Sequence, residues 1–226
     1  MKFTYYGQSA FSLEIDGQHL VFDPFITPNL MAKDIDIQSI KADYVLLSHG
    51  HYDHIVDALD IAKNNDATIV SNFEIISWYG TNGYKKGHPM NHGGQWQFDF
   101  GKVKFTNAVH SSVLPDGTYG GNSGGFLIMN KNINVYYAGD TALTVDMQLI
   151  PLWAKLDVVI LPIGDNFTMG VDDAILAADF VKCDNVIGVH YDTFPYIEID
   201  KKEAVEKFAA AGKKLLLPKI GESIQF

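Results

Sequence analysis

The spacing of apolar and polar residues changes several times along the chain, and each change marks an element. Lys2–Tyr6, Phe11–Ile15 and His19–Phe22 are short strand candidates, separated by Gly7 and by Asp16-Gly17, an Asp-Gly hairpin signal. Tyr44-Val45-Leu46-Leu47 is an unbroken apolar run, as in a strand buried on both faces, and it ends abruptly in Ser48-His49-Gly50-His51. From Asp53 to Asn64 the period becomes helical, with Ile55, Leu59 and Ala62 on one stripe. A Gly- and Asn-rich loop is expected between Gly80 and Gly94. Strands are then predicted at Lys102–Val109, Gly125–Met129 and Ile133–Ala138, a helix at Met147–Leu156 and a buried strand at Val158–Ile163. Asp172–Lys182 reads as a helix with two acids in its first turn, Val186–Val189 as a strand, Lys201–Ala211 as a helix ended by Gly212, and Leu215–Leu217 as a last strand. Each half runs strands first and helices later, without regular βαβ alternation. That order predicts an α/β (α+β) fold of two mixed sheets packed together with helices outside.

Composition narrows the class. The 226 residues are 47% hydrophobic and 19% charged, a globular balance with no linker, repeat or charge block, so a single domain over 1–226 is expected. A chain of this length buries roughly 70% of its unfolded surface without disulfide support. One cysteine, Cys183, permits no internal disulfide and sits at a predicted helix end without a paired base. No apolar run approaches the ~18 residues of a membrane span, and the N-terminal residues hold no apolar signal core, so a cytoplasmic protein with no membrane partner is expected. Seventeen lysines, no arginine and 27 acidic residues give a formal net charge of −10. That balance disfavours nucleic acid, whose affinity comes largely from phosphate neutralisation, and points to a small-molecule substrate. Homo-oligomerisation is left open.

The chemistry concentrates in His49-Gly50-His51-Tyr52-Asp53-His54, four candidate ligands in six residues between a buried strand and a helix start. Such a pattern arises by chance in roughly one chain per thousand of this composition. In an extended turn, residues two apart point the same way, so His49 and His51 can converge on one ion. Asp53 and His54, on the opening helical turn, can face a neighbouring one. Imidazole and carboxylate are the donors that borderline divalent ions such as zinc prefer.

This segment resembles the signature of the metallo-β-lactamase superfamily, and other motifs of that family follow the same order. Leu20-Val21-Phe22-Asp23-Pro24 resembles the first, Asn107-Ala108-Val109-His110-Ser111-Ser112 the third, Tyr136-Tyr137-Ala138-Gly139-Asp140-Thr141 the fourth, and Ile187-Gly188-Val189-His190 the fifth. The similarity runs from about Phe3 to Pro195. It is greatest to an uncharacterised metal-dependent hydrolase branch near the ascorbate-6-phosphate lactonases, through Leu161–Gly170, His190-Tyr191 with Thr193-Phe194-Pro195, and Pro89–Gly94, where His92 replaces a usual aliphatic residue.

The resemblance implies a four-layer αββα sandwich and two divalent metal ions, zinc first, with manganese, iron or nickel as alternatives. It implies His49, His51 and His110 on one ion, Asp53, His54 and His190 on the other, Asp140 bridging them, and Asp23 behind the ligands. Asp53 and Asp140 are the expected catalytic residues. Asn166, Thr168, Tyr191 and Thr193 are expected near the substrate, His88 and His92 in loops that could line the entrance, and His19 in a structural role. The implied activity is hydrolysis of a small ester, lactone or phosphoester. Alternatives are a sugar-phosphate lactonase, an iron-dependent oxidoreductase similar to persulfide dioxygenases, a non-catalytic binding module and a tRNA-processing nuclease. The intact ligand set argues against the binding module, and the acidic charge against the nuclease.

Overall fold

A computed structural model describes residues 1–226. The first half supplies β1 (Lys2–Gly7), β2 (Ala10–Ile15), β3 (Gln18–Phe22), β4 (Tyr44–Leu46), α1 (Tyr52–Ile55), α2 (Ala58–Asn65), β5 (Thr68–Asn72), α3 (Phe73–Thr81) and β6 (Gly87–Met90). The second supplies β7 (Gln95–Phe98), β8 (Gly101–Asn107), β9 (Gly124–Met129), β10 (Asn134–Tyr137), α4 (Ile150–Trp153), β11 (Val158–Pro162), α5 (Val171–Phe180), β12 (Asn185–Val189), α6 (Lys201–Ala210), β13 (Lys214–Leu216) and β14 (Ser223–Gln225). They form two seven-stranded sheets, ordered β14-β1-β2-β3-β4-β5-β6 and β13-β12-β11-β10-β9-β8-β7. Each half opens with antiparallel hairpins and continues with parallel strands, β3 to β6 in one sheet and β10 to β13 in the other.

The layers follow from where the apolar side chains go. Phe3, Phe11 and Phe22 of the first sheet meet Phe105, Phe126 and Tyr137 of the second, all buried. Phe11 stacks on Phe22 at 4.5 Å and meets the edge of Tyr137 at 5.0 Å, and each such ring contributes about 1.5–3 kcal/mol by leaving water. On the outer face of the first sheet, α2 and α3 bury Ala58, Ile61, Ala62, Ile75 and Tyr79. On that of the second, α5 and α6 bury Ala174, Ala177, Ala178 and Phe208. The result is the expected helix–sheet–sheet–helix sandwich. No helix is long and apolar enough to cross a membrane.

Three local expectations are corrected. The helix expected from Asp53 to Asn64 is broken into α1 and α2 at Asp57, whose carboxylate accepts from the backbone N–H of Ile26 (2.6 Å) and Thr27 (2.9 Å). A tertiary demand for two hydrogen bonds overrides helical continuity there. The helix expected at Met147–Leu156 is a 3-10 turn, Val145–Leu149, followed by the short α4 with Pro151 in its first turn. The region expected as loop between Gly80 and Gly94 contains β6, while α3 begins at an Asn72 cap whose side chain accepts from Ile75 N–H at 2.9 Å.

Gly139 shows how closely the strand ends approach one another. Its φ is +67°, and a Cβ there would lie 2.4 Å from the Gly124 carbonyl oxygen. Gly139→Ala is expected to lower stability by about 1–3 kcal/mol, whereas Gly80→Ala, in α3 with open space around it, should be neutral or stabilising by up to about 1 kcal/mol. Urea unfolding of the two variants beside the parent chain checks both.

Candidate metal centre

One end of the sandwich collects the polar residues that a packed interior would otherwise exclude. Gln8 follows β1, Asp23 follows β3, Ser48 to His54 follow β4, and His110 lies three residues beyond β8. Asp140 follows β10 after two residues, and His190 follows β12 directly. The C-terminal ends of parallel strands are where open sheets of this kind present loops to ligands. The backbone bends sharply to do so, since Gln8, Asp23 and His190 all have positive φ, at 51°, 40° and 56°.

Asp23 organises the cluster from below. Fully buried, it accepts four hydrogen bonds: from Ser48 N–H at 2.7 Å, the Ser48 hydroxyl, the Tyr137 hydroxyl at 2.6 Å, and His54 Nδ1 at 2.9 Å. The Ser48 proton is thereby committed, so Ser48 Oγ accepts from His49 Nδ1 at 2.9 Å. Both tautomers follow from these partners. His49 and His54 carry protons on Nδ1 and turn Nε2 toward the cluster, the atom through which each would bind a cation.

Above Asp23 the donor atoms form two triads, His49–His51–His110 and Asp53–His54–His190, each with its atoms within 4.8 Å of one another. Asp140 Oδ2 lies between them, 3.0 Å from His190 Nε2, 3.2 Å from His54 Nε2 and 3.7 Å from His110 Nε2. A third grouping, Asp23–His49–His54, is equally close, but the four hydrogen bonds to Asp23 occupy its lone pairs. Asp53 is held by Gln8 Nε2 at 3.0 Å. Ser111 Oγ reaches His51 Nε2 at 3.2 Å.

Electrostatics prepare the same groups for a cation. Burial pushes His49, His51 and His110 below the ordinary histidine value, and neighbouring imidazoles push them further, so they are neutral donors. Burial also pulls on His54, but Asp140, Asp53 and Asp23 outweigh it and raise that imidazole well above its usual value. For Asp53 and Asp140 burial acts upward, and His54 and His190 reverse it, holding both below the usual carboxylate range. His54 Nε2 and Asp140 Oδ1 are buried without a hydrogen-bond partner, a cost of about 1–3 kcal/mol each that a divalent ion between them would remove. The donor set therefore fits a metal.

Comparison with known proteins agrees. The family model described as a beta-lactamase superfamily domain matches residues 2–190. The chain belongs to the metallo-β-lactamase superfamily. It is 59% identical over all of both chains to a UPF0173 metal-dependent hydrolase of Flavobacterium johnsoniae, and 49% identical over 99% of both to one of Methylacidiphilum infernorum. Its fold superimposes on Igni18, a metallo hydrolase of Ignicoccus hospitalis, with a TM-score of 0.89 and 36% identity over 100% of this chain and 98% of that one. It is thus a metal-dependent hydrolase of that superfamily. These relatives carry no named substrate, so kinship with the ascorbate-6-phosphate lactonases stays an expectation of the sequence.

Within this hydrolase a cavity of about 420 Å³ opens over His51, Asp53, His110, Asp140 and His190, and its remaining walls are Tyr52, Ser111, Phe167 and Phe194. The residues expected near substrate do not line this cavity. Asn166 lines a neighbouring acidic cavity, because consecutive positive-φ residues Asp165 and Asn166 turn the loop so that Phe167 enters the mouth instead. The half-buried Thr168 hydroxyl bonds its neighbour's Met169 carbonyl. Tyr191 is buried against Tyr5 and, with Thr193, lines a separate 230 Å³ cavity behind Gln8. His88 and His92 also stand away from the mouth: His88 packs on Trp96 and Phe98, and His92 stacks on Phe105 and bonds the Ser123 carbonyl. His19 pairs with Asp43 on the surface.

Gln8 lies outside every motif, and Ser48, Tyr137 and Phe194 lie in or beside motifs that assign them no role; only their neighbours in space reveal what they do. Asp23→Asn keeps the shape but sets an amide N–H against one of the four donors. It should cut metal affinity about 10- to 100-fold, as loss of a partner to ligating histidines does elsewhere. Competition with a chromophoric chelator measures this, and parental affinity would detach Asp23 from the metal centre.

Proposed function

We propose that the hydrolase holds two divalent ions, zinc in the first instance, and cleaves a small ester, lactone or phosphoester. His49, His51 and His110 would hold one ion, Asp53, His54 and His190 the other, and Asp140 would bridge them. The observation that carries this reading is the position of Asp140 Oδ2, within 3.7 Å of one histidine of the first triad, His110, and of both histidines of the second, His54 and His190. Divalent ions in such a site lower the pKa of water from 15.7 to about 7 and polarise the scissile carbonyl or phosphoryl oxygen.

The chain's own residues then do the positioning. Asp53 borders the cavity and is fixed by Gln8, so its carboxylate is placed to orient the attacking nucleophile and carry its proton. Asp140 is buried and ionised, which keeps negative charge between the two triads. Asp23, through Ser48 and directly, keeps His49 and His54 in the donor tautomer. Tyr52, Phe167 and Phe194 give the cavity an apolar face opposite the ligands. The lone, buried Cys183, its thiol pushed up by burial to about 11, takes no part, and it supports the expectation of a reducing, cytoplasmic setting.

Elemental analysis of purified variants tests the assignment. His49→Ala should lose about one ion per chain and abolish hydrolysis, whereas Asp140→Ala should weaken both sites. Two ions retained at parental affinity in Asp140→Ala would remove the bridge, and iron with oxygen uptake in the parent would move the activity to the oxidoreductases. Gln8→Leu should keep its metal but turn over about 10- to 100-fold more slowly, since Asp53 loses its support.

A further inference from the structure

We propose that the substrate is an uncharged, predominantly apolar ester or lactone, and not a phosphorylated sugar. This rests on the hydrolytic reading above and narrows it. Beyond the candidate ligands, the cavity is walled by Tyr52, Phe167, Phe194 and Ser111 alone, three aromatic rings and the hydroxyls of Tyr52 and Ser111. No lysine lines it, and the chain has no arginine. The charge of the proposed ions is largely offset by their own ligands Asp53 and Asp140, so a phosphate carried away from the reacting bond would leave water with no lysine or arginine in the cavity walls to receive it.

The aromatic groups are also built rather than incidental. Tyr52 and Phe167 remain about half exposed at the mouth. Phe25 braces the rim from below, 6.0 Å from both Tyr52 and Phe194, and Tyr196 meets the edge of Phe167 at 6.2 Å. Phe167 is delivered by the left-handed pair Asp165 (φ 62°) and Asn166 (φ 52°), a conformation that costs free energy and that these two residue types tolerate best. Large apolar surface held open around a cavity marks a site for an apolar ligand. The uncharged hydroxyls, those of Ser111 and Tyr52, can hydrogen-bond an ester or lactone oxygen without demanding charge.

The experiment uses the metal-loaded protein with two homologous series. Turnover is followed on p-nitrophenyl acetate, butyrate and hexanoate, on γ-butyrolactone against γ-nonalactone, and on p-nitrophenyl phosphate and 6-phosphogluconolactone. Binding is followed calorimetrically with aceto-, butyro-, hexano- and octanohydroxamate, which need no turnover. Both kcat/KM and affinity should rise about threefold per added methylene, and the phosphorylated compounds should be at least 100-fold poorer substrates. Phe167→Ala should flatten the chain-length gradient, and Phe167→Leu should restore most of it. A flat or falling gradient, or preference for a phosphorylated substrate, overturns the proposal while leaving hydrolysis intact. If no compound is turned over, the hydrolytic reading fails, and the hydroxamate gradient alone decides whether the cavity selects apolar ligands.

Discussion

A buried carboxylate that accepts four hydrogen bonds governs this molecule. Asp23 sits at the end of β3, fully enclosed, where an unpaired charge would be prohibitive. Its donors come from the loop after β4, from α1 and from β10 of the opposite sheet. One side chain therefore ties the two sheets together, fixes the direction of the His49–His54 loop, and sets which nitrogen of two imidazoles faces the cluster. Tyr137 serves both purposes at once: its ring packs on Phe11 and Phe22 in the central core, and its hydroxyl ends on Asp23. The apolar interior and the polar site are continuous through that residue.

Much of this was legible in the sequence because it is local. The strand pattern of the first 22 residues matches β1 to β3 to within one or two positions. The segment His49–His54 announces a metal site because four donors fall within six residues, and the fold brings their partners His110, Asp140 and His190 to the same place. What was not legible depends on distance along the chain. Gln8 meets Asp53 across 45 residues, and Tyr137 meets Asp23 across 114, so neither role leaves a trace in local spacing. The break at Asp57 has the same origin, for its partners Ile26 and Thr27 lie about thirty residues earlier. α3 hides for a different reason: it starts on the residue that ends β5, with Asn72 serving as strand end and helix cap together.

The mouth illustrates a division of labour between scaffold and loop. The candidate ligands are anchored by buried hydrogen bonds and by backbone crossings such as His190 N–H to the Gln8 carbonyl at 2.9 Å. Of the rings that line the cavity, Tyr52 opens α1 while Phe167 and Phe194 stand on loops, where Asp165 and Asn166 govern the direction of Phe167 without touching the cluster. Changes in those turns can alter what enters while the chemistry beneath is unchanged.

The crowding of four donors into six residues has a thermodynamic consequence for the unfolded chain. His49, His51, Asp53 and His54 stay near one another even when no sheet exists, so a cation has a partial site in the denatured ensemble as well as in the native one. Ligand linkage stabilises a fold only by the difference between those two affinities. On the proposed ligand set, the gain from a bound cation is thus set by His110, Asp140 and His190, which arrive only when β8, β10 and β12 are in register. Saturating metal should protect this fold by less than its native affinity alone suggests, because the same ion also holds the loosened chain.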